Sequence, residues 1–559
     1  MDMEDREKNL EELIRNMAED TGIPASIHPD AVEKRLEAKK KEKHLKNRRK
    51  YIAAAAAACL CIVMGIGGSY LYYSHEGAQV PDMTSGTASE VSKSVIASAR
   101  NYDEIYEYIQ TERKQSGIQS SSSDGAIEDA ATTESTADGG SASYNGSAGN
   151  GHSDTNVREE GVGEADIVKT DGKRLYIAVG QKVEIVGIES TDMEELSEIR
   201  LEDDSYVSEL YAQDDRLIVL YTRTEYNDGE TGDDGFYSDY TCADVYDISD
   251  GTNPEKLGTI SQSGYYNTMR VRDGYAYVIS FFYPNTAAAR SDTWAYIPEV
   301  QGAALEAADI YMPQRQMGSQ YTVISAFSLE DPSDKTDSKA VFGSGGLCYV
   351  STENVYITEN YYGADDVGVT QTAIRKVAYA DGTLKGAGQT KVNGTLNDSF
   401  SIDEYKGNLR LVTTVTPVSG NDDSWLSGVF VDSAQTSAEN SNSLYVLDKN
   451  LEVTGEIHDL AKDERVYSAR FMGDTGYFVT FRQVDPLFSV DLSDPSDVKE
   501  TQNYVLEGMY GTDAGYDYRA VFADVEKNLF GFMAYGDPNE YFVFTYGEDG
   551  FEKVDDTVL

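Results

Sequence analysis

The chain has 559 residues, with 97 Asp and Glu against 47 Lys and Arg, a formal charge of −50 and a pI near 4.3. Residues 1–50 are nearly neutral, 13 basic against 12 acidic, so the whole excess lies beyond them. A region that negative repels phosphate backbones, which excludes nucleic acid as a partner. Its density of Tyr, Phe, Val, Ile and Leu after about residue 155 excludes an acidic disordered chain.

Residues 1–50 read as a cytoplasmic tail with one or two short helices. Leu10, Leu13, Ile14 and Met17 fall on one face at helical spacing, and Pro24 interrupts the pattern. Residues 34–50 carry ten Lys and Arg against Glu37 and Glu42. Tyr51–Tyr73 follows, 23 residues without a charge. As a helix it is about 35 Å long, enough to span a hydrocarbon core of about 30 Å. The flanking charge places the N-terminus in the cytoplasm and everything after residue 73 outside it. A cleaved signal peptide fits poorly, because about 50 residues precede the apolar run. Cys59 lies mid-segment, where lipidation is not expected.

Residues 74–154 read as an extracytoplasmic spacer. Val91–Lys114 contains a helix with Ile105, Tyr106 and Ile109 spaced to bury one side, and 115–154 is a Ser/Gly/Asp-rich stalk that lifts the next domain off the membrane. From residue 155 a short polar turn followed by an alternating strand recurs seven times. The units begin at Asp171, Gln213, Arg272, Ser351, Tyr405, Gly473 and Asp524, an average period of about 59 residues. Between them a second element recurs, a strand entering an acidic turn, as from Val245, Tyr445 and Val490. Small all-β units at such a period mean a ring or solenoid of antiparallel blades. The expected fold is therefore all-β, a β-propeller of about seven blades over 155–559, behind a single transmembrane helix. Insertions lengthen the period near 281–320, 360–370 and 417–442, and they hold both tryptophans, Trp294 and Trp425. Aromatics on long loops suit a binding face, so these two are the candidate binding-loop residues; the alternative is that they cap local apolar clusters.

Thr155–Ala178 (TNVREEGVGEADIVKTDGKRLYIA), Ser399–Thr414, Asn442–Asp448 and Arg465–Pro495 (RVYSARFMGDTGYFVTFRQVDPLFSVDLSDP) resemble the bacterial secreted β-propeller family distantly related to WD40 repeats. The resemblance covers roughly 155–559. It implies an extracytoplasmic propeller, commonly behind a membrane helix and a short cytoplasmic tail, and it carries over no catalytic residue. It also implies a further strand unit between Asp491–Glu500 and Glu526–Phe532, which here lie within about 25 residues of each other. The chain stops at Leu559 soon after. A ring one blade short and a ring closed imperfectly are both open readings.

Chemistry finds little purchase. His458 is the sole His after the stalk, so a Ser–His–acid site would have to be built on it. There is no GxSxG elbow, no phosphate loop and no dinucleotide fingerprint. Carboxylate-pair glycosidase chemistry has too many candidate pairs among 97 acids to choose one. No zinc spacing occurs, and Cys242 and Cys348 read as two free thiols rather than a disulfide. No cofactor is called for. Calcium is the one ion the composition favours, at acidic turns such as Asn227–Gly235, although these read first as solvated loops. The function expected is a membrane-anchored binding module at the cell envelope, with an envelope protein or glycan as partner. The alternatives are a sensor signalling through residues 1–50 and a carbohydrate-active enzyme on a propeller.

Overall fold

The computed structural model describes residues 96–120 and 162–558, apart from 189–192, 202–204, 228–235, 314–317, 344, 363–367, 419–439, 482–485, 507, 513–520, 525–528 and 548–549. The tail, Tyr51–Tyr73, most of the stalk and Trp425 lie outside the described residues. Among those described, no helix is long and apolar enough to cross a membrane.

Among the described residues seven sheets follow one another along the chain, with main strands at 168–200, 206–263, 265–343, 348–393, 402–460, 465–505 and 509–558, and in each these main strands run antiparallel. The seven turn-and-strand units lead into the second strands of the seven sheets, from Arg174–Val179 in the first to Leu529–Gly536 in the last. Local chemistry explains the turns. Asp273 and Gly274 have φ of 50° and 79°, and Lys406 and Gly407 have 51° and 76°. A two-residue hairpin turn whose twist matches the strands needs that left-handed backbone. The acidic turns join third to fourth strands, and their carboxylates cap the backbone. Asp247 accepts from the Ser249 N–H at 2.9 Å, Asp448 from Asn450 at 2.8 Å and Asp494 from Ser496 at 2.9 Å. Hydroxyl and N–H bonds from Ser249 and Ser496 hold the Asp247 and Asp494 carboxyls below the usual range. Much of the acidity is thus turn chemistry.

Alternation along each strand gives a sheet two apolar faces, and consecutive sheets pack through them. Tyr176, Val183 and Ile185 of the first sheet meet Leu210, Leu217 and Val219 of the second. Five further clusters repeat this arrangement down to Met472 and Leu487 of the sixth sheet against Phe530, Phe532 and Phe544 of the seventh. Polar ties accompany the apolar ones. Arg174 donates to the Ile248 carbonyl, Arg216 to that of Leu329 at 3.2 Å, Arg272 to that of Thr352, Lys376 to that of Lys449 at 3.1 Å, and Arg410 to that of Gly473. Among the described residues, no such cluster joins the seventh sheet to the first. Their outer faces keep apolar side chains partly in water: Val168 and Val179 are each 43% exposed and Phe522 is 49% exposed.

The inner strands converge. Gly163 and Glu164 pair with Val271 and Arg270 of the third sheet, Asp166 bridges Leu210 of the second, and Val168–Thr170 is the first strand of the first. One extended segment can touch three successive sheets only where their inner edges meet. Its charges are buried and matched: Glu164 lies 3.3 Å from Arg270, and Lys169 donates to the Glu164 carbonyl. Beside them the Glu209 carboxylate accepts from the Tyr266 hydroxyl. Burial pushes the Glu209 carboxyl up despite that bond.

The helix expected within 91–114 runs over Tyr102–Ser120, with Asn101 accepting from the Glu104 N–H at 2.9 Å and Asp103 and Glu104 in its first turn. It is docked onto the third sheet. Ile105 and Ile109 pack with Tyr296, Ile297, Leu305 and Phe342. Ahead of the helix, Ala99 donates to the Ile310 carbonyl and Met312 to that of Ala97, both at 2.8 Å. Ile310–Tyr311 in turn runs parallel to the strand Asp337–Gly343 of the third sheet. Residues 96–120 are therefore tied to the blades by pairing and burial, where the sequence reading had them as part of a stand-off spacer.

Candidate functional site

Each sheet has one rim at which first strands begin, second strands end and third strands start. The long connections leave from this rim: 283–319 in the third sheet, 362–370 in the fourth and 416–440 in the fifth. Among the described residues, seven Tyr and Trp side chains stand among the exposed large hydrophobic ones, Tyr206, Tyr226, Tyr237, Tyr265, Tyr283, Trp294 and Tyr362. All seven lie on this rim, in the second, third and fourth sheets. Gathering exposed Tyr and Trp rings at one end of the sheets is the composition of an interface rather than of a solvated edge.

The rim is most developed on the second sheet. The strands Arg216–Asn227 and Phe236–Asp247 pair residue for residue over 12 positions, so their hairpin is a stiff ladder longer than its neighbours. Tyr226 and Tyr237 are direct cross-strand partners with ring centroids 5.0 Å apart, tilted by 56°. Two residues further in on the same face, Asp239 accepts from the Thr224 hydroxyl at 2.6 Å. It also accepts from Tyr265, and this bond with partial burial pushes the Tyr265 hydroxyl up to about 12. On the opposite face Arg223 is paired with Glu225 at 2.8 Å and lies over the Tyr240 ring at 5.7 Å. Burial raises Tyr240 and Glu299, with the nearby Glu225 charge adding to each.

Trp294 sits on a short 3-10 turn, Thr293–Ala295, and is 42% exposed. The residues after it, Ala295, Tyr296 and Ile297, are buried and fix the turn. Trp425 lies outside the described residues, in the connection that leaves the same rim of the fifth sheet. The exposed tyrosines were missed by the sequence reading. The signal that could have found them is position: each stands at or near a strand end, beside a turn or an insertion.

Nδ1 of His458 lies 3.1 Å from Ser443 Oγ and its Nε2 lies 3.2 Å from Glu456. The order of residue types suits a hydrolase, but Ser443 is 2% exposed, within the strand Ser441–Leu447. A nucleophile sealed inside a ladder cannot reach a substrate carbonyl. Among the described residues no group of three His, Cys, Asp or Glu side chains is placed to hold a metal ion. Residues 228–235 of the acidic turn named for calcium lie outside them. Cys242 and Cys348 are free thiols; Cys242 is buried, and burial pushes its thiol up to about 11.

The family described as "Beta propeller domain" matches residues 152–501, well over half of the chain. An uncharacterized protein of Archaeoglobus fulgidus is 43% identical over 116 residues, 21% of this chain and 15% of that protein. Another, from Methanocaldococcus jannaschii, is 38% identical over 109 residues, 20% of this chain and 15% of that one. The chain thus spans about 15% of the length of these relatives. Among solved structures, a functionally unknown protein from Desulfotomaculum acetoxidans aligns with a TM-score of 0.25 at 13% identity, covering 68% of this chain and 93% of that one. The C-terminal WD40 domain of Sif2 aligns at 0.22 and 9%, covering 68% and 96%.

Proposed function

This chain belongs to the Beta propeller domain family, and from that premise we propose that it is an interaction module of the cell envelope. In this reading Tyr51–Tyr73 anchors it, residues 1–50 remain in the cytoplasm, and the aromatic rim of the second to fourth sheets binds an envelope protein or glycan. The observation that carries the binding role is the gathering, among the described residues, of seven exposed Tyr and Trp side chains on one rim. Rigid amphipathic rings supply contact area at low entropic cost and concentrate at hot spots. The anchor and its orientation are supported by the uncharged 23-residue run and the basic residues before it.

The test uses the full chain, solubilised in detergent and immobilised, with envelope extracts and a glycan array as analytes. Wild type is compared with a variant carrying Tyr237→Ser, Tyr265→Ser and Trp294→Ser. Specific capture that the variant loses supports the rim. Capture equal for both, or none for either, counts against it. Fractionation under alkaline carbonate tests the anchor, with release of the chain from membranes as the contrary result.

A further inference from the structure

We infer that the projecting hairpin of the second sheet receives a basic segment of a partner protein, a Lys or Arg head group seating against Tyr226 and Tyr237 with Asp239 as its counter-charge. This rests on the reading of the rim as a binding surface and adds its chemistry.

Tyr226 and Tyr237 are 56% and 70% exposed although they pack against each other. They stand at the end of a fully paired ladder, so their positions are set by backbone and not by a mobile loop. Ring faces attract cations through their quadrupole, and a tilted pair offers one cation two faces. Asp239 lies on the same face of the ladder, held in place by Thr224 and Tyr265. The nearby cation, Arg223, is committed on the other face to Glu225 and Tyr240. That other face is also a small precedent, since there the chain itself seats a guanidinium on tyrosine beside a carboxylate.

Charge decides among partners. A chain of net charge −50 steers cationic surfaces toward it and repels anionic glycans and acidic proteins. A neutral sugar gains nothing from that field, and two rings inclined at 56° do not make one flat stacking platform. A protein segment bearing Lys or Arg matches both the shape and the field.

The probe is a fluorescein-labelled peptide of alternating Gly-Ser and Arg, titrated by anisotropy against the detergent-solubilised full chain at low and physiological salt. The doubly substituted variant Tyr226→Ser/Tyr237→Ser keeps the net charge. It is expected to bind about fivefold or more weakly. Asp239→Asn is expected to weaken binding and flatten its salt dependence, while Val453→Ser, 45% exposed at the opposite end of the fifth sheet, leaves affinity unchanged. Unaltered melting of each variant shows that folding is intact. Equal affinity of wild type and the double variant overturns the inference, because attraction is then charge alone. Binding of neutral chitohexaose through the same tyrosines also overturns it but leaves the rim a binding surface. Loss of neither ligand on any rim substitution, together with rim-independent envelope capture, overturns both.

Discussion

The docking of the helix Tyr102–Ser120 on the third sheet should fail when two side chains are shortened. Ile105 and Ile109 are 0% and 1% exposed and face a cluster that includes Tyr296, Ile297 and Phe342. Truncating a buried Ile to Ala costs about 2–5 kcal/mol, so Ile105→Ala/Ile109→Ala removes about 4 kcal/mol or more from docking. The polar contacts do not offset this. Tyr102 donates to the Leu305 carbonyl at 2.7 Å and Gln110 to that of Thr286 at 3.1 Å, each worth about 1 kcal/mol. Arg290, which pairs with Asp103 and Glu107, is half exposed, so solvent screens its ion pairs and they add little. Most of a helix's stability in a protein comes from packing of its apolar face, so the undocked helix should fray. Hydrogen exchange is the assay. Amides from Ile105 to Arg113 should lose about a thousandfold of protection at 1.4 kcal/mol per decade, while inner-strand amides of the fifth and sixth sheets keep theirs. Arg290→Ala should change little. Unchanged protection in the double variant would refute the claim that apolar burial holds the helix.

Two other outcomes follow from the packing and the buried charge. A Cβ on Gly455 would come within 2.3 Å of the Pro495 carbonyl, and one on Gly258 within 2.2 Å of that of Pro332, outer strand against the acidic turn of the next sheet in both cases. Gly455→Ala should cost about 1–3 kcal/mol in denaturant unfolding, whereas Gly187→Ala, whose Cβ would meet only Leu196 at 3.5 Å, should be near neutral. Glu209→Gln should stabilise the fold at pH 7 and lose that advantage in acid. Burial raises the Glu209 carboxyl, so the folded state takes up the proton before the unfolded one. The stability this gives is full below the unfolded value of about 4.3 and is lost as pH rises through the folded one. Melting of both proteins at pH 4 and pH 7 checks it; equal differences at the two pH values would contradict the assignment.

Local patterns made the blades legible. A turn such as Asp273-Gly274 needs a left-handed backbone that few residues accept, and the strand after it must alternate to bury its faces. Both constraints act within ten residues, so the seven repeats from Asp171 to Asp524 appear in order as seven second strands. Trp294 stands in a connection between strands, where its sequence setting puts it. What the chain does at a distance was not. Tyr102 reaches a carbonyl 203 residues away, and Gly163 and Glu164 cross to the third sheet before the first is built. No local signal records those partners. The binding rim is the sharpest case. Tyr321 and Tyr356 are sealed in the core and Tyr237 is 70% exposed, yet each occurs in a strand of similar composition. For the tyrosines of the repeat units, sequence determined that they lie on strands and beside turns. Which rings are covered was decided only by the stacking of sheets, because burial depends on the neighbouring blade and not on the residue's own segment.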